Sequence, residues 1–149
     1  MAALNGVLPP VWSHANPVDI IGDAPPDRYA AALDIIKKDD ESDGLLVILT
    51  PQAMTDPTKT AREIIPYTAD SAKPIMVSWM GGSDVETGER ILGEAGLATF
   101  PYPDSAAKMF TELELTRSCI AAALSGVDEG RNDIAELASL AKARASDLI

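Results

Sequence analysis

The stretch from Gly44 to Pro66, GLLVILTPQAMTDPTKTAREIIP, limits the possible folds of this chain more than any other. Leu45 to Leu49 is an unbroken apolar run, short enough for a strand and of the kind found in parallel sheets covered on both faces. Thr50-Pro51 ends it. Thr55 or Asp56 then stands ahead of Pro57. This is a helix start, with a capping side chain followed by proline at the first helical position, where an N–H would go unpaired anyway. Strand, loop and helix in this order bring the helix's unpaired amides and positive dipole end to the carboxyl edge of a sheet, where open α/β folds bind ligands. The loop holds no His, Cys or Ser, and its carboxylate, Asp56, is a cap candidate. Such a loop is suited to hold an anion such as a phosphate, not to attack one.

The same helix–strand rhythm runs through most of the chain. Val18 to Ile21 reads as a short edge strand closed by Gly22-Asp23. Pro25-Pro26-Asp27 opens a helix with Tyr29, Leu33 and Ile36 on one face. After the strand at 45–49 and a helix at about 57–65, Lys73-Pro74 leads into a strand from Ile75 to Trp79 and the turn Gly81-Gly82. Ser83 or Asp84 caps the next helix, and Gly96 closes it as a C′ residue. Leu97 to Phe100 makes another strand, and Asp104 opens a longer helix with Phe110, Leu113, Ile120 and Leu124 at helical spacing. Alternation of this kind predicts a parallel sheet with crossover helices. Residues 1–15, with Pro9 and Pro10, read as an extended linker, 16–125 as the folded domain, and 126–149 as a helical tail or linker beyond Gly126.

Composition excludes several functions. A chain of 149 residues is long enough for one sound core. Its formal net charge of −11 argues against nucleic acid and means that any anion site must be local and built from backbone donors. No apolar run approaches the roughly 18 residues that span a bilayer, so no membrane association is expected and a cytoplasmic location is the default. Cys119, the one cysteine, rules out an intrachain disulfide framework and reads as helix packing.

Familiar ligand motifs do not fit either. Gly81-Gly82 lacks the GxGxxG spacing of dinucleotide folds, and no Gly-Lys-Ser/Thr of a P-loop occurs. Thr50, Met80 and Pro101 occupy strand ends where a phosphoacceptor receiver would place aspartate, and the first loop is not the Ser/Thr/Gly-rich loop of a flavin site. His14 sits beside Trp12 in the proline-rich lead-in and reads as a surface imidazole, with no second His or nearby Cys for a zinc site. Asp39-Asp40-Glu41 with Asp43 is most simply a solvated loop. For Gly81-Gly82 two readings stay open: a tight turn into the next helix, or a close backbone approach to a ligand or neighbouring domain. No catalytic residue and no metal ligand is assigned.

The order Asn16-Pro17-Val18-Asp19, then Leu46 to Pro57 containing TPQAMTDP, then Lys73-Pro74 before Trp79-Met80-Gly81-Gly82, then Gly88 and Gly96, strongly resembles one module. It is the C-terminal flavodoxin-like CoA-ligase domain of the ADP-forming acetyl-CoA (acyl-CoA) synthetases, in the succinyl-CoA synthetase superfamily. The resemblance implies an α/β, flavodoxin-like three-layer sandwich with a mainly parallel sheet. It also implies a non-autonomous part of an acid–thiol ligase that makes ATP from acyl-CoA, ADP and phosphate through an acyl phosphate and a phosphohistidine. The partners implied are CoA-binding, phosphohistidine-bearing and ATP-grasp domains or subunits. The whole enzyme would use CoA, ATP/ADP and Mg, with none bound by this domain alone. Carried onto this chain, the family's "power helix" begins near Asp56-Pro57, and phosphate would meet Pro51, Gln52, Ala53, Met54, Thr55 and Asp56. Asn16, Asp19, Gly81 and Gly82 would form an interface or ligand loop. His14 does not occupy the family's histidine motif. A second implied reading is a ligase-like regulatory or ligand-sensing domain of a protein lysine acetyltransferase.

Overall fold

The computed structural model describes residues 2–128, with side chains described as far as Ala122. Helix α1 spans Pro26–Ile36, strand β1 Leu45–Leu49, helix α2 Pro57–Thr68, strand β2 Ile75–Trp79, helix α3 Glu86–Glu94, strand β3 Ala98–Phe100 and helix α4 Pro103–Asp128. The strands form one parallel sheet in the order β1-β2-β3, with Val47 opposite Val77 and Val77 opposite Thr99. This is the α/β fold with a parallel sheet that the alternation predicts. Chain contacts divide the molecule into Met1–Ala106 and Ala107–Ile149, a division that falls inside α4, earlier than the expected boundary at 125–126. The expected tail from 129 to 149 lies outside the described residues.

In the first unit, one face of the sheet carries the main core. Leu45, Val47 and Leu49 of β1 and Ile75, Val77 and Trp79 of β2 point to the same side, as the two-residue strand period requires. They meet Leu33 of α1, Ala61 and Ile64 of α2, and Leu92 of α3. Helix α2 packs on both α1 and α3. Only β2, the central strand, is buried on both faces. At the sheet edge, β1 leaves Leu46 and Ile48 38% and 42% exposed, so its apolar run is buried on one side only.

Three further expectations change. The Val18–Ile21 run is not a strand. Pro17 has no N–H to pair, the Asp19 carboxylate takes the Ile21 amide at 2.8 Å, and Ile21 sits at φ 72, which no strand accommodates. Residues 1–15 are also not simply an extended lead-in. Ala2–Gly6 forms a 3-10 turn, and Leu4, Leu8 and Trp12 are buried with Ala32 in a second core, joined by Val18, Ile20, Ile35 and Ile36. Trp12 donates its indole N–H to Asn5 at 2.9 Å, so its polar end is satisfied. Finally, α3 has no Ser83 or Asp84 cap. Gly82–Asp84 forms a 3-10 turn, and Val85 precedes the helix without a side-chain bond.

Candidate functional site

The end of β1 and the start of α2 are joined by a loop that is tightly braced. The Gln52 amide donates to Thr55 Oγ1 at 3.0 Å, and the Thr55 amide donates back to the Gln52 carbonyl at 2.9 Å. Asp56, in extended backbone, caps α2: its Oδ1 accepts the Lys59 amide at 2.9 Å. The Thr60 amide and hydroxyl both donate to the Asp56 carbonyl. Pro57 has no N–H. The Thr58 amide is therefore the first-turn donor left without a partner among the described residues.

The neighbouring loops come against this one. A Cβ on Gly22 would lie 2.3 Å from the Gln52 side-chain nitrogen, and one on Gly81 would lie 2.8 Å from Pro51 Cγ and from Val85 Cγ1. Gly81 is extended at φ 165, so lack of space demands glycine there, whereas Gly82 at φ 56 needs it for conformation. Gly81 thus lies close against Pro51 and Val85 of its own domain, and the positive-φ turn belongs to Gly82. Beneath them, Trp79 at the end of β2 donates its indole N–H to the Pro57 carbonyl at 3.3 Å, and a Cβ on Gly88 would meet both groups. Trp79 and Gly88 thus fix the height of the α2 start. In sequence this is only an aromatic at the end of β2 and a glycine in the first turn of α3, which has no meaning until strand and helices are paired in space.

Of the residues named from sequence, Pro51, Gln52, Thr55, Asp56, Gly81 and Gly82 come together at the carboxyl edge. Ala53 and Met54 form the exposed tip of the loop. Asp19 is tied into its own turn through Ile21 and through the Ser13 hydroxyl, 2.9 Å from its amide. Its charge reaches Tyr29, whose hydroxyl pKa is pushed up, chiefly by burial and further by Asp19. Asn16 is exposed, and its side chain makes no hydrogen bond to the α2 loop. His14 is exposed, lies against the Trp12 ring and places Nε2 3.0 Å from the Pro10 carbonyl, away from this edge loop in sequence and bonding. Cys119 is partly exposed in α4. Among the described residues no group of three or more His, Cys, Asp or Glu could hold a metal, and no helix is long and apolar enough to cross a membrane.

The family profile of the Ligase-CoA domain matches residues 2–118. The chain belongs to that family. The Ligase-CoA domain here is 36% identical over 110 residues to an ADP-forming acetate–CoA ligase I of Archaeoglobus fulgidus, covering 74% of this chain and 15% of that protein. It is 30% identical over 108 residues to the α subunit of an ADP-forming acetate–CoA ligase I of Pyrococcus furiosus, covering 71% of this chain and 23% of the subunit. Among solved structures, an acetyl-coenzyme A synthetase 1 of Ca. Korarchaeum cryptofilum, in complex with phosphate and ADP, superposes with a TM-score of 0.63 at 31% identity, over 68% of this chain and 22% of that one. The chain therefore spans 15% and 23% of the length of these two curated relatives.

Proposed function

We propose that this Ligase-CoA domain is a non-autonomous part of an NDP-forming acyl-CoA synthetase, which converts acyl-CoA, ADP and phosphate to the acid, ATP and CoA. In this reading the start of α2 faces a phosphohistidine carried on a partner domain. CoA, ATP/ADP and Mg bind elsewhere in the assembly, and the isolated chain is inactive. The family membership and the names of the relatives support the enzyme class. The observation that carries the site is the unpartnered Thr58 amide at the positive end of α2, set on a loop that neighbouring glycines hold in place. An amide and dipole of this kind contribute on the order of 0.3–2 kcal/mol towards holding phosphate. The Asp56 cap works against them, because its carboxylate repels an incoming anion. The site is therefore a place to meet a phosphoryl group presented by a partner and not a strong site for free phosphate.

The reading is tested in the intact synthetase with radiolabelled phosphate. Thr55→Asp sets a second negative charge at the loop and is expected to slow phosphoryl transfer at least tenfold, with the amount of folded enzyme unchanged. Transfer at the wild-type rate would sink the reading. In the isolated chain, inorganic phosphate is expected to shift the Thr58 amide resonance more than the rest, weakly and in the millimolar range. Labelling of His14 by ATP or acetyl phosphate would also contradict it.

A further inference from the structure

Ile21 stands at φ 72, a backbone region that β-branched residues rarely enter. Strain of this kind persists only where the surroundings over-determine it, and it gathers at sites that must hold one geometry. Here three groups fix the turn. The Asp19 carboxylate takes the Ile21 amide at 2.8 Å, and the Ile21 carbonyl accepts the Ala24 amide at 3.0 Å. One guanidinium nitrogen of Arg28 donates to the Ile20 carbonyl at 3.2 Å and to Asp23 Oδ1 at 2.9 Å. Neither its helix nor its ion pair accounts for Arg28. It lies in the first turn of α1, where the helix dipole disfavours a cation, and the Asp23 side chain is 66% exposed, so water screens the pair. What the guanidinium supplies is geometry: acceptors on either side of Ile21 are tied to one rigid group.

The turn held in this way presents Gly22 to the loop between β1 and α2. A Cβ on Gly22 would lie 2.3 Å from Gln52 Nε2 and 2.9 Å from the carboxamide carbon, so the Gln52 side chain rests on the bare backbone of the turn. The Gln52 amide and carbonyl are both bonded to Thr55, just before the Asp56 cap and the Thr58 amide. We propose that Arg28 is a positioning residue for this site: it holds the turn at Ile21 and Gly22 against Gln52, and so sets the loop that brings the start of α2 to a phosphoryl group. The proposal rests on the function proposed above and adds to it a residue with no hydrogen bond to the loop itself. A misplacement of about 1 Å caused far from the chemistry costs on the order of 10²-fold in rate, so a brace at this remove is enough to govern transfer.

The test uses the intact synthetase with two variants. Arg28→Lys replaces the planar fork with a point charge, and Gly22→Ala puts a methyl group where the Gln52 carboxamide rests. Each is expected to slow phosphoryl transfer about tenfold or more, with KM for acyl-CoA and for ADP unchanged and the amount of folded enzyme unchanged. Transfer at the wild-type rate in both variants overturns the proposal, and so does a loss that only tracks a fall in folded enzyme. In a Gln52→Ala background Arg28→Lys is expected to cause no further loss, because the relay is already cut; an equal loss with and without Gln52 overturns it. In the 149-residue chain by itself, Arg28→Lys is expected to shift the Gln52 side-chain and Thr55 backbone amide resonances and to leave that of Gly96 in place. Unmoved Gln52 and Thr55 signals overturn the brace. Transfer that responds to Thr55→Asp but ignores Arg28→Lys and Gly22→Ala removes this proposal and leaves the phosphate reading standing. Shifted Gln52 and Thr55 signals combined with indifference to Thr55→Asp do the reverse.

Discussion

Ser78 and Tyr29 show two ways in which a polar group in this core affects stability. The Ser78 hydroxyl is fully buried between Ile48 and Phe100 in the sheet and has no hydrogen-bond partner. Burying an unpaired hydroxyl costs about 1–3 kcal/mol, so Ser78→Ala is expected to leave the unfolding free energy unchanged or to raise it in urea melts. A loss of stability would mean that the hydroxyl is bonded. Tyr29 is disfavoured as a phenolate by burial and by Asp19, so its folded pKa lies above the ordinary tyrosine value of 10.0. The stability this represents is complete below that value and is lost as pH rises through the folded pKa. Tyr29→Phe is expected to flatten the alkaline fall of stability, and an unchanged alkaline limb would contradict the assignment. Neither effect was legible in the sequence, because each depends on which side chains surround the group.

Element by element, caps were easier to find than their exact residues. The Thr55-Asp56-Pro57 string announced the start of α2, and proline at the first helical position is where it was expected. The fold decides between the two caps: Thr55 braces the loop, so Asp56 serves the helix. Asp56→Ala is expected to cost about 1 kcal/mol in thermal or urea unfolding and Asp56→Asn little, because only the first removes the acceptor for the Lys59 amide. Equal losses would show that charge and not hydrogen bonding matters there. At the other end of α3, Gly96 at φ 85 closes a Schellman turn, with the Leu97 amide on the Leu92 carbonyl at 3.0 Å and the Gly96 amide on the Gly93 carbonyl at 2.9 Å. Nothing lies near its missing side chain, so Gly96→Ala is expected to cost about 1 kcal/mol through backbone strain alone. The start of α3 departs from the expected Ser83 or Asp84 cap because the chain after Gly81 enters a 3-10 turn over Gly82–Asp84 that takes up both residues.

For the molecule as a whole, the N-terminal segment belongs to the fold. Leu4, Leu8 and Trp12 cover Ala32, Ile35 and Ile36 on α1, the side that the main core does not use. Each buried side chain of this size contributes about 1.5–3 kcal/mol, so deleting residues 2–12 is expected to lower stability by several kcal/mol and to expose apolar surface that binds a hydrophobic dye. Removal without effect would return the segment to a linker. Prolines at 9, 10 and 17 had suggested an open lead-in, but proline limits only backbone donors, and apolar residues spaced through a turn can still pack.

What the linear order of residues determined was local: which segments from Pro26 onward are strand or helix, that the sheet is parallel, and that a helix start faces its carboxyl edge. These follow from hydrophobic period and cap chemistry, which act within a few residues. What the tertiary structure alone decided was which loops meet at that edge. The support of Gln52 by Gly22, of Pro51 by Gly81 and of Pro57 by Trp79 and Gly88 joins residues 22 to 31 positions apart in the chain. Contacts at such separations are set by packing and have no periodic signature in the sequence.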